Sequence, residues 1–359
     1  MSKLPNLVIR DIVINPPIIQ GAMGVRVSLH KLVSAVSSEG ALGVIASVGL
    51  GEEEEYSTLS YEDRSARALR DIIRETKKRT NKPFGVNIMC ALTNYDQLVK
   101  VCLDEKVAVI FSGAGLPLKL PALTKEYDIA LVPIVSSGRA ADIIIRTWLT
   151  KYNRMPDGFV IEGPLAGGHL GYKFEELTNI RGDELKNIFH DVKKVVSAYD
   201  KKGKIAIVVA GGIFDGKDIA YFLKDGASGV QMATRFIGTR ECDAADEFKQ
   251  EVIKSKKEDT IIIKSPVQMP GRVIKNAFVK KILSGKRIDF ECKYHCLKTC
   301  DSENTQYCIA KALVNAYKGN MKNGFVMAGA NCYRIKGIVG VKELINELTV
   351  EAERFYFAK

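Results

Sequence analysis

The stretch Phe159-Val-Ile-Glu-Gly-Pro-Leu-Ala-Gly-Gly-His-Leu-Gly171 joins an apolar run to a glycine-rich loop. The run from Phe159 to Ile161 has the length of a buried strand. Four glycines follow within nine residues, which the interior of a strand or helix tolerates poorly. Glu162 and His169 bracket this break. The pattern is typical of a catalytic loop on an α/β scaffold, where His169 could act as a general base because its ordinary pKa lies near neutrality. The alternative is a surface loop whose histidine has no role.

Short apolar runs recur on both sides of this stretch, with helical patterns between them. β-branched runs buried on both faces are typical of parallel strands. Eight such units within about 240 residues predict an α/β fold of the (β/α)8 TIM barrel type. A doubly wound open sheet is the alternative, but no nucleotide-binding fingerprint follows the first strand. The predicted strands are Ile18–Ile19, Leu42–Ser47, Phe84–Met89, Val107–Ser112, Ile129–Val135, Phe159–Glu162, Lys204–Ala210 and Gly229–Thr234.

The chain divides into a barrel and a later region. We expect the barrel over residues 12–240, and an insertion with a helical, cysteine-containing C-terminal cap or lid over residues 241–359. An acidic loop, Glu52 to Glu55, would follow the second strand. The glycine-interrupted stretch from Ala328 to Tyr333 would fold back over the barrel mouth.

Composition limits the location and the partners. The longest apolar runs are far shorter than the roughly 20 residues of a membrane span, and the N-terminus lacks the layout of a signal peptide. We therefore expect a cytoplasmic protein with no membrane partner. The net charge of +11 could suit an acidic partner, but the basic residues are dispersed and no nucleic-acid motif accompanies them. We expect a solvated basic surface, no nucleic-acid partner and a small-molecule substrate, and a homodimer is compatible with the sequence.

In a barrel, the chemistry lies at the C-terminal ends of the strands. The residues predicted there are mostly neutral and polar, as in a pocket for a large organic cofactor, and they include no set of ligands for a catalytic zinc. The loops after the last two strands lie where barrels frequently bind phosphate. The alternative is that Gly211 and Gly212 merely allow a tight turn. The polar and glycine positions at the strand ends are Gln20, Ser47, Asn87, Ser112, Ser136, Glu162, His169, Gly211, Gly212, Gln231 and Thr234.

Six motifs, in order over about residues 12 to 280, together resemble the nitronate monooxygenase family, formerly called 2-nitropropane dioxygenases. The flavin-dependent enoyl-acyl-carrier-protein reductases belong to the same superfamily. The most specific motifs are the segment that ends in Gly-Gly-His and the pair Ala-Gly-Gly and Gly-Val-Gln-Met. The six motifs are Pro17–Met23, Gly85–Met89, Ser112–Gly115, Glu162–Gly171, Ala210–Gly216 and Gly229–Phe236.

The resemblance implies a TIM barrel that holds FMN without a covalent bond. His169 matches the family's catalytic histidine, which in the monooxygenases handles the acidic proton beside the nitro group. One departure is Pro164-Leu-Ala166, where the family usually has an acidic or other polar residue. The cofactor-binding positions implied are Ala22, Met23, Gly24, Asn87, Ser136, Glu162, Gly168, Gly211, Gly212, Gln231, Met232, Ala233 and Thr234.

A cysteine-rich tail follows the barrel motifs. Cys292, Cys296, Cys300 and Cys308 are separated by three, three and seven residues, and His295 could replace one of them as a ligand. Four thiolates suit an iron–sulfur cluster or a structural zinc. The spacing matches no common pattern of paired cysteines, and the favoured alternative is a set of buried thiols that pack a helical cap.

These patterns lead to three hypotheses. The first is an FMN-dependent nitronate monooxygenase that oxidises alkyl nitronates with O2 and uses His169 as its general base. The second is an FMN-dependent enoyl-acyl-carrier-protein reductase of fatty-acid synthesis, which would use NADH or NADPH and an acyl-carrier protein that suits the basic surface. The third is a flavin-binding redox sensor in which the cysteine tail is the working part.

Overall fold

The computed structural model describes residues 2–52, 56 and 58–358. Residues 53–55 of the predicted acidic loop lie outside this range. The strands are β1 (Leu7–Ile9), β2 (Ile12–Ile14), β3 (Ile18–Gln20), β4 (Leu42–Ala46), β5 (Gly85–Met89), β6 (Val109–Gly113), β7 (Ala130–Val135), β8 (Gly158–Glu162), β9 (Gly168–His169), β10 (Ala206–Ala210), β11 (Gly229–Met232), β12 (Thr260–Lys264) and β13 (Pro270–Ile274). The helices are α1 (His30–Ser38), α2 (Tyr61–Arg79), α3 (Tyr95–Asp104), α4 (Leu120–Leu123), α5 (Gly138–Tyr152), α6 (Glu184–Tyr199), α7 (Gly216–Lys224), α8 (Thr234–Ile237), α9 (Asp246–Lys254), α10 (Ala277–Leu283), α11 (Ile309–Tyr317) and α12 (Val341–Phe357).

Eight parallel strands close into a barrel in the order β3-β4-β5-β6-β7-β8-β10-β11, and β11 pairs with β3 to complete it. The predicted (β/α)8 TIM barrel is therefore confirmed, and each predicted run overlaps one of its strands. Both faces of these strands are apolar because one face fills the interior and the other packs against helices. Leu42, Phe111 and Val160 belong to the interior cluster, whereas Ile45, Ile110 and Ile161 belong to the cluster beneath the helices.

A short hairpin closes the N-terminal end of the barrel. Strands β1 and β2 are antiparallel, with Leu7 opposite Ile14. Leu7, Ile9 and Ile14 are buried in the same cluster as the inward-facing barrel residues. Since this end is filled with side chains, ligands can enter only from the C-terminal ends of the strands.

A cap covers part of the C-terminal end. Strands β12, β13 and β9 form an antiparallel sheet in which Gly271 of β13 pairs with His169 of β9. An apolar cluster beneath α10 and α11 supports this sheet, and in it the rings of Phe278 and Phe325 stack with centroids 5.8 Å apart. The glycine-rich loop after β8 is therefore tied to the cap through backbone pairing.

The last helix differs from the predicted cap. We expected α12 within the cap, but it packs against α7 and α1 on the outer wall of the barrel. Its apolar stripe, which includes Leu344, Leu348 and Ala352, is buried in the cluster that lies between strands and helices. A Cβ on Gly216 would lie 2.3 Å from the Ala352 backbone nitrogen, so α7 and α12 touch closely. The chain therefore completes its helical ring after the cap, with the apolar face of α12 in the gap between α7 and α1.

Among the described residues, no helix combines the length and the apolar character that a membrane crossing requires.

Candidate functional site

Two adjoining cavities open at the C-terminal ends of the barrel strands. The larger has a volume of about 320 Å³ and the smaller about 170 Å³. They share walls formed by Ala22, Gly24, Glu162 and Gly168. Their combined volume lies within the range of roughly 300–1,000 Å³ that is usual for pockets that bind organic ligands.

The structure brings the predicted site residues together around these cavities. The larger cavity is lined by Asn87, Ser136 and His169 in addition to the shared residues. Every predicted cofactor-binding position lines one cavity or the other. Those that line the smaller one alone are Met23, Gly211, Gly212, Gln231, Met232, Ala233 and Thr234.

The smaller cavity has a glycine-rich backbone wall. Gly211 and Gly212 adopt φ values of +89° and +112°, which an L-residue rarely adopts. Thr234 begins α8, and its hydroxyl accepts a hydrogen bond of 2.9 Å from the Gly329 N–H. The Asn331 side-chain amide donates to the Gly212 carbonyl at 2.8 Å. The stretch predicted to fold back over the barrel mouth therefore forms one side of this cavity.

The residues present fit a phosphate-bearing planar cofactor such as FMN. A Cβ at Gly212 would approach the Leu165 side chain to 3.2 Å, and one at Gly167 would approach the Ala328 carbonyl carbon to 2.4 Å. Side chains at these positions would fill the narrow space between the two loops. Backbone N–H groups can therefore approach an anion closely in the smaller cavity, while a planar ring would occupy the larger one beside Ala22 and Gly24.

His169 lies at the edge of the larger cavity, on β9. Its Nε2 is 2.8 Å from the Ser265 hydroxyl oxygen. That oxygen also accepts a hydrogen bond from the Val267 N–H, at 3.2 Å, so its own proton is available to the imidazole. Burial lowers the pKa of His169 to about 4, so the imidazole is neutral at pH 7. The group can accept or share a proton, but it carries no positive charge near neutrality.

Glu162 ends β8 and faces both cavities. Burial raises the pKa of its carboxyl group to about 7. The cause is desolvation, since a carboxylate loses most of its hydration in this setting. Glu162 is therefore the group at the site whose proton occupancy changes most near neutral pH.

Arg272 organises the loop that departs from the family pattern. The residue is buried and lies opposite Gly168 in the pairing of β13 with β9. Its Nη1 donates to the carbonyls of Pro164 and Ala166, both at 2.6 Å. Burial lowers the pKa of Arg272 to about 10, which leaves the guanidinium charged at neutral pH. The Pro164–Ala166 loop is therefore held through its backbone, which does not require a polar side chain there.

Two polar residues at strand ends serve the barrel rather than the cavities. The Gln20 side chain accepts from the Val44 N–H at 3.1 Å and donates to the Gly21 carbonyl. The Ser112 hydroxyl donates to the Ile88 carbonyl at 3.0 Å. Both side chains are fully buried.

The sequence did not reveal Ser265, Arg272 or Asn331, which come from the region after the barrel. The Ser265 side chain contacts the His169 imidazole, and the side chains of Arg272 and Asn331 donate to backbone carbonyls of the site. For Ser265 and Arg272 the available signal was the apolar run at positions 261–263 of β12, which predicts a strand but not its location. Asn331 lies in the stretch that was predicted to fold back over the barrel mouth, but no role was assigned to it.

The tail cysteines lie behind the larger cavity. All four line a third cavity of about 210 Å³, and all are free thiols. Within the described part of the chain, no three His, Cys, Asp or Glu side chains converge closely enough to hold a single metal ion.

A barrel with a polar, glycine-walled double cavity at its C-terminal end is the architecture of a cofactor-dependent barrel enzyme. The sequence profile of the nitronate monooxygenase family matches residues 6–94 and 90–351, and the chain belongs to that family. The resemblance is therefore confirmed, and the protein is an oxidoreductase of this family.

Proteins that are similar to this chain carry several different names. A protein of Rhodococcus jostii (strain RHA1), named (3aS,4S,5R,7aS)-5-hydroxy-7a-methyl-1-oxo-octahydro-1H-indene-4-carboxyl-CoA dehydrogenase, is 27% identical over 79% of this chain and 69% of its own. A probable nitronate monooxygenase of Staphylococcus aureus (strain Newman) is 25% identical over 74% of this chain and 77% of its own. The solved structure of FabK from Thermotoga maritima is 29% identical, with a TM-score of 0.74, and the alignment covers 95% of this chain and 94% of that one.

Proposed function

We propose that the protein is an FMN-dependent oxidoreductase whose substrate is an unsaturated acyl thioester with an uncharged reacting end, which it reduces at the expense of NADH or NADPH. The observation that carries the proposal is the lining of the larger cavity. Among the described residues, no Lys or Arg side chain contributes to this lining, and its only ionisable groups are those of Glu162, His169 and Cys296.

The charge state of these groups disfavours an anionic substrate. His169 is neutral at pH 7, and Glu162 is partly ionised, so the cavity offers no positive side chain to a nitronate anion. Burial of an anion without a counter-charge is costly. An enoyl thioester carries no charge at its reacting end, and the apolar side chains of Met269, Leu313 and Met327 suit an acyl chain.

The residues of the two cavities would have separate tasks. The smaller cavity would hold the FMN phosphate through the backbone of Gly211, Gly212 and Thr234. When bound, FMN supplies hydride transfer. Glu162 would hold a proton at its carboxyl oxygen near the reacting centre, and His169, positioned by Ser265, would orient the thioester carbonyl through a hydrogen bond.

The comparisons support a thioester substrate. The Rhodococcus jostii relative is named as a dehydrogenase of a carboxyl-CoA, which is an acyl thioester. The net charge of +11 would favour an acidic carrier, either coenzyme A or an acyl-carrier protein. We propose a cytoplasmic location on the same grounds, since acyl thioesters of both kinds are cytoplasmic metabolites.

Nitronate oxidation with O2 is the second candidate. It is favoured by the family to which the chain belongs and by the placement of His169 at the cavity edge. In that reaction His169 would be the general base.

Steady-state assays with the FMN-loaded protein separate the two candidates. One assay follows oxidation of NADH or NADPH with crotonyl-CoA under nitrogen, and the other follows oxygen uptake with an alkyl nitronate and no nicotinamide. The proposal predicts thioester-dependent turnover in the first assay and at least about 10-fold lower kcat/KM in the second, the ratio that a difference of about 1.4 kcal/mol produces. The reverse ratio would establish the nitronate reaction.

A further inference from the structure

The four tail cysteines surround one cavity. Cys292, Cys296, Cys300 and Cys308 all line it. Because all four border the same space, the thiols form one group rather than two separate pairs.

The fold fixes this group from two sides. The backbone around Cys296 is held to the loop after β5, since the Thr93 N–H donates to the Cys296 carbonyl at 3.1 Å and the Lys298 N–H donates to the Ala91 carbonyl at 2.9 Å. Cys308 stands at the start of α11, where its sulfur accepts from the Lys311 N–H at 3.5 Å. Two chain segments are therefore anchored on either side of the cavity that the four cysteines line.

We propose that Cys292, Cys296, Cys300 and Cys308 bind a 4Fe–4S cluster in this cavity. Four cysteine thiolates are the usual ligand set of such clusters.

The size of the cavity favours a cluster over a single zinc ion. Four thiolates at about 2.3 Å from one zinc would stand only about 3.8 Å from one another. Within the described residues, no three donors converge in this way. A cubane binds each thiolate to a different iron, so its ligands surround a wider space than those of a single ion. The four cysteines line a cavity of about 210 Å³.

The cluster would lie next to the candidate active site. Cys296, Leu297, Ile309 and Ala310 line both the thiol cavity and the larger cavity. Only one layer of residues separates the two spaces. The thiol group is nevertheless distinct from the residues to which we assign FMN and substrate, so this proposal does not depend on the proposed reaction.

The test is anaerobic reconstitution of the full FMN-loaded chain with ferrous iron and sulfide, followed by desalting and analysis of iron, acid-labile sulfide and zinc. The wild type should retain about four iron and about four sulfide per chain, as a cubane with a cysteine ligand on each iron requires, and give an EPR signal after reduction with dithionite.

Cys300→Ser, which lies outside the larger cavity, should retain less than about a quarter of that iron and lose the signal, because one of the four ligands is missing. Cys90→Ser is the matched control, since Cys90 lies outside the thiol cavity and bonds to the Ser112 hydroxyl at 3.4 Å. It should bind iron as the wild type does.

FMN content and the far-UV CD spectrum of each variant show whether it is folded. Folded wild-type protein that takes up no iron and sulfide would overturn the proposal. So would one zinc per chain without sulfide, a disulfide among the four cysteines of the anaerobically purified protein, or equal iron in Cys300→Ser and the wild type.

Discussion

Replacement of Glu162 by Gln tests the electrostatics of the site. Burial raises the pKa of this carboxyl group to about 7, whereas an unfolded chain would give about 4.3. The folded state therefore binds the proton more tightly, and the stability that this proton contributes is present below about pH 4 and is lost as the pH rises through about 7. At about 1.36 kcal/mol per pKa unit, the full loss in the wild type is about 4 kcal/mol. Gln cannot ionise, so the free energy of unfolding of the variant should not show this loss.

The assay is urea unfolding of the flavin-free proteins between about pH 5 and about pH 8, where most of the change should occur. The free energy of unfolding of the wild type should fall by about 2 to 3 kcal/mol more than that of Glu162→Gln. Glu126→Gln is the matched control because Glu126 is exposed, and it should follow the wild type. Infrared spectra near neutral pH should show a protonated carboxyl band that Glu162→Gln lacks. Parallel pH profiles for wild type and Glu162→Gln would refute the assignment of a buried, proton-retaining carboxyl group.

Three further substitutions test individual parts of the site. His169→Ala should retain FMN and lose about 100-fold or more of the turnover, the usual range for a lost hydrogen-bond donor to a carbonyl that gains negative charge. Normal turnover would remove His169 from the chemistry. Ser265→Ala should lower kcat about 3- to 10-fold while KM and FMN content stay constant, since a single hydrogen bond that orients the imidazole is worth about 1 kcal/mol. An unchanged kcat would show that Ser265 does not position the imidazole of His169. Gly212→Ala should weaken FMN binding at least about 10-fold, because alanine is strained at φ +112° and its Cβ would approach the Leu165 side chain to 3.2 Å. Flavin fluorescence measures the affinity, and an unaltered affinity would mean that the phosphate binds elsewhere.

The barrel was predictable because its signal is local. Apolar runs such as Leu42–Ala46 and Ala206–Ala210 are buried on both faces, so their composition alone identifies them as strands. Glycines after β10 marked the smaller cavity for a similar reason, since only a positive φ permits the turn at Gly211 and Gly212. The placement of Glu162 and His169 at the cavities followed from the rule that barrel chemistry lies at the C-terminal strand ends.

The cap was less predictable because its contacts join distant parts of the chain. His169 and Ser265 are separated by 96 positions, and Arg272 reaches Pro164 across 108. A periodic pattern cannot indicate such pairs. The helix α12 was misplaced for a related reason, since its apolar stripe shows that one face is buried but not which surface covers it.

The electrostatic state of the site also required the structure. A histidine in a glycine-rich loop suggests a base with a pKa near neutrality, but His169 is enclosed between β9 and the cap, and burial lowers its pKa to about 4. The lack of cations in the larger cavity, within the part of the chain that the structure describes, could not be read from a sequence with a net charge of +11.

The most direct test of the central claim, that the cavity acts on the uncharged acyl end of a thioester, is anaerobic rapid mixing of the FMN-loaded protein. In the first experiment, the flavin is reduced with NADH or NADPH and the reduced protein is then mixed with crotonyl-CoA. In the second, the oxidised protein is mixed with an alkyl nitronate. We predict that the thioester restores the oxidised flavin spectrum within the turnover time and that the nitronate leaves the oxidised flavin unchanged. The account would be contradicted if the nitronate rapidly bleached the oxidised flavin and the thioester failed to reoxidise the reduced flavin.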